Sequence, residues 1–346
     1  MSVSIIDVAR RAGVSKSTVS RVLTNAASVR PHTRARIEAA MRDLEYRPNA
    51  LARGLVHGRT HTLGLVVFDL LNPFFGLLTR GVEGTAQERG YNVLIGDSAG
   101  SVIRQRACLA MLAERRVDGL LVAPFGARDE ELAEIQAAGL RTVLVNSTLD
   151  AAALSSVGVD NARGGYLAAH HLLALGHHRI GFLGDAPTVE SCRERLSGYR
   201  RAHQDVGIAD DPRLVVEDLD GMEAVRVAVQ RLLALPRPPT AICAVNDQFA
   251  IATLQALSLL GRHVPDDIAL VGYDDIPVAA WLSVPLTTVA QPKEEQGRLA
   301  AGLLIDGVER PDAPVQRIVL QPHLVVRQSC GALSRSGAAT QASIIG

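Results

Sequence analysis

The sequence has no net charge: 36 Lys+Arg stand against 36 Asp+Glu in 346 residues, with a pI near 7.2. Taken whole, that balance argues against a nucleic-acid binder, whose domains run basic. Cysteine is scarce. Cys108, Cys192, Cys243 and Cys330 lie far apart with no C-x-x-C, so neither a disulfide framework nor a zinc knuckle is indicated. Long apolar runs are missing too. The longest stretch free of Asp, Glu, Lys, Arg and His covers 276–292 and is broken by Pro277, Pro285 and Pro292, which excludes a membrane span there. Asp7, Arg10 and Arg11 follow the first few apolar residues, the wrong order for a secretory leader. What is present is 47% hydrophobic and 21% charged residues, a globular composition with material for two or three domains. A cytoplasmic protein is the expectation.

The neutrality conceals a division. Residues 1–59 hold eleven bases and four acids, a net +7, and residues 60–346 hold 25 bases and 32 acids, a net −7. A compact basic module joined to an acidic body implies one part drawn to polyanions and one that is not.

The basic module reads as short helices. Ser4-Ile5-Ile6-Asp7 has the spacing of a capping box and opens an apolar-periodic run through Val8, Ala9 and Ala12. Gly13 permits a sharp turn. Ser15 is placed to cap a second helix with Val19, Val22 and Leu23 inward and Lys16, Ser17, Thr18, Ser20 and Arg21 around its outer face. A third helix begins at Pro31 and buries Ile37, Ala40, Met41 and Leu44. This pattern is a helix-turn-helix whose second helix suits a major groove, with Arg21 the candidate for bidentate guanine readout and Lys16 and Ser17 near base edges. Arg10, Arg11, Arg34 and Arg36 are candidates for phosphate contact or for ordinary surface charge. A three-helix protein-binding module is the competing reading of the same spacing.

From residue 63 apolar strands alternate with amphipathic helices. Strands are expected at 63–68, 92–95, 119–123, 142–145, 180–183, 214–216, 241–245 and 268–272. Helices are expected at 74–89, 103–115, 163–175, 193–206 and 222–235, with another beginning at Asn246-Asp247. Such alternation implies parallel sheets covered on both faces. The order strand, polar loop, helix, strand over 63–97 recurs over 180–218, which favours two similar α/β subdomains. Loops at the carboxyl ends of their strands then enclose a cleft.

The helix-turn-helix residues Ile5, Asp7-Val8-Ala9, Ala12-Gly13-Val14-Ser15, Thr18-Val19-Ser20-Arg21-Val22-Leu23 are joined by further ordered motifs. Among these are Tyr46-x-Pro48-Asn49-Ala50-x-Ala52-Arg53-x-Leu55, Asn72-Pro73-Phe74-Phe75, Arg116-Val117-Asp118-Gly119, Val159-Asp160-Asn161, Asn246-Asp247, Val271-Gly272-Tyr273-Asp274-Asp275 and Gln291-Pro292. On these residues the chain resembles the lactose/galactose repressor (LacI/GalR) family of bacterial transcription regulators to about residue 330. The resemblance implies a fold of three parts. These are an all-α helix-turn-helix domain over 1–59 with a hinge helix near 49–56, a two-lobed periplasmic-binding-protein-like effector domain over 60–330, and a flexible tail over 331–346. Lobe one is expected at 60–160 plus 291–318, and lobe two at 161–290 plus 319–330.

By that resemblance the hinge helix docks in the minor groove at the centre of an operator, with Asn49, Ala52 and Arg53 at the DNA and Leu55 wedged between base pairs. An apolar wedge spends unstacking energy to kink a duplex, and small Ala50 and Ala52 leave room for two such helices. A plain linker helix is the alternative, and Gly54 lowers its intrinsic helicity by about 1 kcal/mol relative to Ala. The resemblance also implies an effector site formed by Phe74, Phe75, Asp97, Ser98, Asn146, Ser191, Arg193, Arg195, Leu219, Asn246 and Asp274. Arg, Asp and Asn suit vicinal hydroxyls because each offers paired donors or acceptors in a plane, so a sugar or sugar derivative is the implied ligand. Leu219 departs from the pattern, since many members stack an aromatic ring there. Arg195 and Asp274 are alternatively a structural ion pair.

Family dimer contacts match Ile251, Trp281 and Leu282, and the large apolar area of the sole tryptophan suits a subunit interface. A buried core is the other reading of each. The tail has no heptads, so a homodimer on a pseudo-palindromic operator is expected rather than a tetramer.

Two features point elsewhere. Gly96-Asp97-Ser98-Ala99-Gly100 is a literal G-x-S-x-G after a strand, as in the nucleophile elbow of an esterase. No HGGG-type element precedes it, and hydrolysis leaves the basic module unexplained. His170, His171, His177 and His178 cluster without zinc spacing. No nucleotide-binding glycine motif occurs, and no cofactor, metal or catalytic residue is expected. A sugar-binding protein without a DNA role is disfavoured by the basic module. The reading is a ligand-responsive repressor, not an enzyme.

Overall fold

A computed structural model describes residues 3–24, 29–46, 59–124, 139–149 and 154–332. Two compact units emerge, one of residues 1–62 with 116–118 and one of the remainder. The expected hinge helix, with Asn49, Ala52, Arg53 and Leu55, lies outside the described residues, as does the tail from residue 333.

In the first unit, α1 (Ile5–Ala12), α2 (Lys16–Thr24) and α3 (Pro31–Asp43) pack around Val8, Ala9, Ala12, Val19, Ile37 and Ala40. Asp7 reaches back to Ser4 and accepts from its backbone N–H at 3.0 Å and its hydroxyl at 2.7 Å, fixing the first turn of α1. Gly13 ends that helix at φ +62°, a conformation glycine adopts without strain. The Ser15 hydroxyl then accepts the Thr18 N–H at 3.2 Å and starts α2. Val22, Leu23, Met41 and Leu44 pack on the same core half-buried.

The second unit holds two six-stranded sheets of matching order. The first comprises β1 (Thr62–Val67), β2 (Asn92–Asp97), β3 (Gly119–Val122), β4 (Arg141–Val145), β5 (Ser155–Val159) and β11 (Arg317–Leu320), arranged β11-β5-β4-β3-β1-β2. The second comprises β6 (Ile180–Leu183), β7 (Val215–Val216), β8 (Ala241–Ala244), β9 (Ala269–Asp274), β10 (Thr287–Ala290) and β12 (His323–Val325), arranged β12-β10-β9-β8-β6-β7. Position by position β3 corresponds to β8, β1 to β6 and β2 to β7, the last two being the recurrence legible in the sequence. Central pairs such as β1 with β3 and β8 with β9 are parallel, and β12 runs antiparallel to β10. Helices α4 (Pro73–Glu88), α5 (Val102–Glu114) and α10 (Lys293–Glu309) belong to the first lobe. Helices α6 (Asn161–Ala174), α7 (Glu190–Asp205), α8 (Gly221–Leu233) and α9 (Asp247–Leu259) belong to the second. Covered on both faces, strands such as β3 and β8 are buried at every residue.

The chain passes between lobes after β5, after β10 and between β11 and β12. The expected third crossing at 318/319 is therefore corrected to Gln321-Pro322, because β11 stays in parallel register with β5 through Leu320↔Val159. Strands β5, β10, β11 and β12 lie outside the expected set. β5 and β10 carry Ser, Thr or Gly yet are fully buried, while β11 and β12 are short, partly exposed sheet-edge strands with apolar runs of only three and two residues, 318–320 and 324–325.

Candidate functional site

The exposed face of α2 carries Lys16, Ser17 and Arg21, with Thr18 and Ser20 half-buried beside them. Val19, fully buried, holds that face outward. The arginines considered for phosphate contact have intrachain partners: Arg10 with Asp7 at 3.3 Å, Arg11 with Asp43 at 3.0 Å and Arg34 with Glu38 at 3.1 Å. Arg36 donates to the carbonyl of Ala12 and caps the end of α1. Each of these exposed pairs is weak enough to exchange for a phosphate.

In the second unit a cleft runs between the carboxyl ends of the two sheets. Its inner cavity, about 70 Å³, is walled by Phe74 and Phe75 at the start of α4 and by Asn146 after β4. From the other lobe come Ser191 and Arg195 on α7, Asn246 after β8 and Asp274 at the end of β9. These sequence-identified residues are brought together. An outer cavity of about 780 Å³ adjoins it, sharing Phe68, Asn72, Asp185 and Asn246 and adding Leu219.

Local folding explains each placement. Asn72 caps α4 by accepting the Phe74 N–H at 3.0 Å, and Pro73 supplies the preset first helical φ. Phe74 and Phe75 then meet edge to face with centroids 5.0 Å apart, and Phe68 stacks on Phe75 at 6.1 Å. Asn246 caps α9 through the Phe249 N–H at 2.9 Å. Arg195 is buried. Its Nε donates to Asn161 Oδ1 at 3.0 Å and its Nη1 to the Val245 carbonyl at 2.7 Å, with its guanidinium 3.6 Å above the Tyr273 ring. Gly165 makes this possible, since a side chain there would strike the Arg195 backbone and push α7 off α6.

Asp274 sits at φ +113° and Asp275 at φ +54°, backbone that L residues rarely adopt and that costs on the order of 1–3 kcal/mol each. Lys293, one of two lysines in the chain, straps both carbonyls with its Nζ, reaching Asp275 O at 2.9 Å. Gln291 Nε2 donates to Asp274 Oδ1 at 2.6 Å. Burial raises the Asp274 carboxyl above its ordinary range, against the pull of Arg195. Burial likewise raises Asp185 and Glu190, Asp185 being pushed further by Asp220 and Asp218.

Across the rim, Ser147 donates to Glu190 Oε2 at 2.8 Å, and the Thr148 hydroxyl lies 3.0 Å from Glu190 Oε1 and 2.9 Å from Glu194 Oε1. These contacts tie lobe one to α7. Asn72, Asp185, Glu190, Gln291 and Lys293 join the site without having been among its expected residues. The cap position before Pro73 and the strand-end rule for Asp185 were the available signals. Lys293 carried none.

Three expected effector residues stand away from both cavities. Ser98 is fully buried, its hydroxyl donating to the carbonyls of Val67 at 3.0 Å and Phe68 at 3.3 Å, so its side chain closes a turn. Asp97 turns back to accept the Ala99 N–H at 3.0 Å. Arg193 is exposed and donates to the carbonyls of Pro187 and Thr188 at 3.0 and 3.1 Å. The geometry of Ser98 also removes the nucleophile elbow: the left-handed φ falls on Ala99 and Gly100, and the serine oxygen is inaccessible.

Of the histidines, His170 stacks on Tyr166, His171 lies 3.3 Å from Cys330 Sγ and His177 lies 3.0 Å from the Thr240 hydroxyl. Among the described residues no three His, Cys, Asp or Glu gather as a metal site, and no helix is long and apolar enough to cross a membrane. Trp281 is 79% exposed, with Leu282 and Ile251 half-buried, and Ile251 lines the outer cavity.

Comparison with known proteins agrees with both units. Residues 4–49 match the family described as bacterial regulatory proteins, lacI family, and residues 169–330 match a periplasmic binding protein-like domain. The HTH-type transcriptional repressor PurR of Photobacterium profundum is 35% identical over 328 residues, covering 94% of this chain and 98% of PurR. Among solved structures, the lac repressor dimer bound to operator and the anti-inducer ONPF aligns with a TM-score of 0.85 at 27% identity, over 95% of this chain and 99% of that one. A complex of the transcriptional regulator CelR with cellobiose aligns with a TM-score of 0.72 at 33% identity, over 94% and 99%.

Proposed function

The chain belongs to the LacI family of bacterial regulatory proteins, and from that premise we propose that it is a cytoplasmic, homodimeric transcription repressor whose hold on its operator is set by a small effector in the cleft. The observation that carries the DNA role is α2, which presents Lys16, Ser17 and Arg21 from a rigid three-helix core within a segment of net charge +7. Lysine and arginine there supply phosphate attraction, and arginine supplies two parallel donors for guanine O6 and N7. Residues 49–56, outside the described residues, take the hinge role by resemblance to the family, with Leu55 as the wedge.

The effector role is supported by convergent polar groups above an aromatic floor: Asn146, Arg195, Asn246 and Asp274 over Phe74 and Phe75. Planar amide, carboxylate and guanidinium groups pair with adjacent hydroxyls, so the ligand class is a sugar or sugar derivative, the kind of molecule held by the CelR neighbour. The lac repressor structure is a dimer on its operator, and exposed Trp281 offers this chain a like surface. An effector that favours the operator-competent state acts as corepressor, and one that favours the other state acts as inducer.

Selection of bound duplexes from a randomised palindrome library, followed by anisotropy titration with the full chain, tests the proposal. A single enriched pseudo-palindrome whose binding shifts on adding a sugar is the expected result. Enrichment of no sequence over bulk DNA refutes it.

A further inference from the structure

The two cleft cavities are lined asymmetrically in charge. In the inner one Arg195 is answered by Asp274, which leaves Asp185 and Glu190 without a cationic counterpart lining that cavity. The outer cavity is lined by Asp69, Asp185, Asp218 and Asp220, and among the described residues no Lys, Arg or His lines it. Its remaining wall is largely apolar, from Leu71, Leu219, Met222, Phe249 and Val278. Asp69 and Asp185 are half-buried and Asp218 and Asp220 exposed, so together they place a negative potential beside the apolar wall. Asp185, shared by the two cavities, sits between the two environments.

A second observation lies in the inner cavity. The Oδ1 of Asn146 is a buried acceptor with no hydrogen-bond partner, held there by a backbone at φ +56°. A buried acceptor left unmade is costly, and its need is for a donor. Acceptors and anions thus face the cavity from both ends, and Arg195 is already committed to Asn161 and Val245.

Resting on the reading of this cleft as the effector site, we infer that the effector is an amine-bearing, cationic sugar derivative, and that Asp185, Asp218 and Asp220 are the residues that select it. The hydroxylated ring occupies the inner cavity and the ammonium group lies toward the outer one. Sugar phosphates and sugar acids are rejected, because their charge enters a space with several like charges and a single guanidinium that is spoken for.

The test uses the full chain and matched probes: the neutral, amino and acid members of the glucose and galactose series, together with cellobiose, its glucosamine disaccharide analogue and cellobionate. Titration calorimetry at about pH 6 keeps the amines protonated. At least one amino member should bind about tenfold or more tighter than its neutral parent, with the advantage shrinking as salt rises. The double variant Asp218→Asn, Asp220→Asn should erase that preference, lowering the amino member's affinity toward that of the neutral parent. Both positions tolerate asparagine, since Asp218 has φ +63° and Asp220 is the N-cap of α8. Without ligand, the same variant should melt higher than wild type because like-charge repulsion is relieved.

An acid member binding as tightly as its amino counterpart overturns the inference, as does an unchanged preference in the double variant. Binding of neutral sugars alone leaves the cleft as an effector site and removes the cationic ligand. Binding of no probe, with operator binding intact, removes the effector reading itself.

Discussion

Arg195 and Asp274 face each other across 3.9 Å in the cleft, and each is held more closely by a neutral neighbour than by the other. Arg195 reaches the Val245 carbonyl at 2.7 Å, and Asp274 receives Gln291 at 2.6 Å. Both are nearly buried, so their mutual attraction is little screened. Both side chains line the inner cavity, so the pair joins α7 to the end of β9 at the place proposed for the effector.

Removing one member strands the other. Arg195→Ala should cost on the order of 3–5 kcal/mol of stability and abolish the effector response, while operator binding by the folded protein persists. Asp274→Ala should do the same. Chemical denaturation and operator titration with and without effector read the two effects separately, and a response retained in either variant shows that the pair acts only on the fold.

On the DNA side, Arg21→Ala should weaken operator binding by about 1–3 kcal/mol and nonspecific binding by much less, since a bidentate base contact is lost along with one charge. Equal losses on operator and random duplex would identify Arg21 as a phosphate contact.

Asp247 is buried, accepts the Thr288 hydroxyl at 2.6 Å and the Ile276 N–H at 2.9 Å, and has its carboxyl pushed up to about 8 by burial and then by Asp274. The folded state therefore binds a proton that the unfolded chain has already released above its ordinary value of 3.8. Stability falls as pH rises from there to about 8. His171 and His203, lowered by burial from 6.5, act in the opposite direction only below that value. Between pH 6.5 and 8 the carboxyl should remove roughly 1.4 kcal/mol per pH unit, and Asp247→Asn should flatten the slope. Melting curves across that window check it. A wild-type slope that is flat there, or one that survives in the variant, assigns the proton to another group.

Trp281 is exposed at 79%, so replacing it disturbs little within one chain. Trp281→Ala should nonetheless weaken self-association by about 2 kcal/mol or more while the melting of the monomer holds steady. Sedimentation equilibrium that finds the same dimer constant in variant and wild type places the interface elsewhere.

Ser98→Ala should lower stability by about 1 kcal/mol through loss of the hydroxyl's bonds to Val67 and Phe68. Ester turnover by the wild-type chain that disappears in this variant would restore a catalytic serine.

Much of this was legible in the order of residues. Ser4 with Asp7, Gly13 and Ser15 are local devices, each acting within four residues, and they define α1, the turn and α2 before any tertiary contact forms. Central strands such as β3 announce themselves because a strand buried on both faces must be continuously apolar. Two of the strands outside the expected set, β5 and β10, hide their burial behind Ser, Thr and Gly, whose polar atoms find partners only after folding: Thr288 bonds Asp247, and Ser155 Oγ accepts the Gln316 N–H.

The charge of the chain shows the same division of labour. Sequence determined that a segment of +7 precedes a body of −7, that one end is a helix-turn-helix and that the rest is two α/β lobes, because charge counts, caps and apolar periods are properties of neighbours along the chain. Only tertiary structure decided that Ser98, Asp97 and Arg193 turn away from the cleft. It alone brought Lys293 from α10 to strap Asp274, and gathered Asp69, Asp185, Asp218 and Asp220 from three loops around one cavity. Those outcomes depend on which way a side chain points at the end of a strand and on which distant loop it meets. Neither is encoded within any window of the sequence shorter than the fold itself.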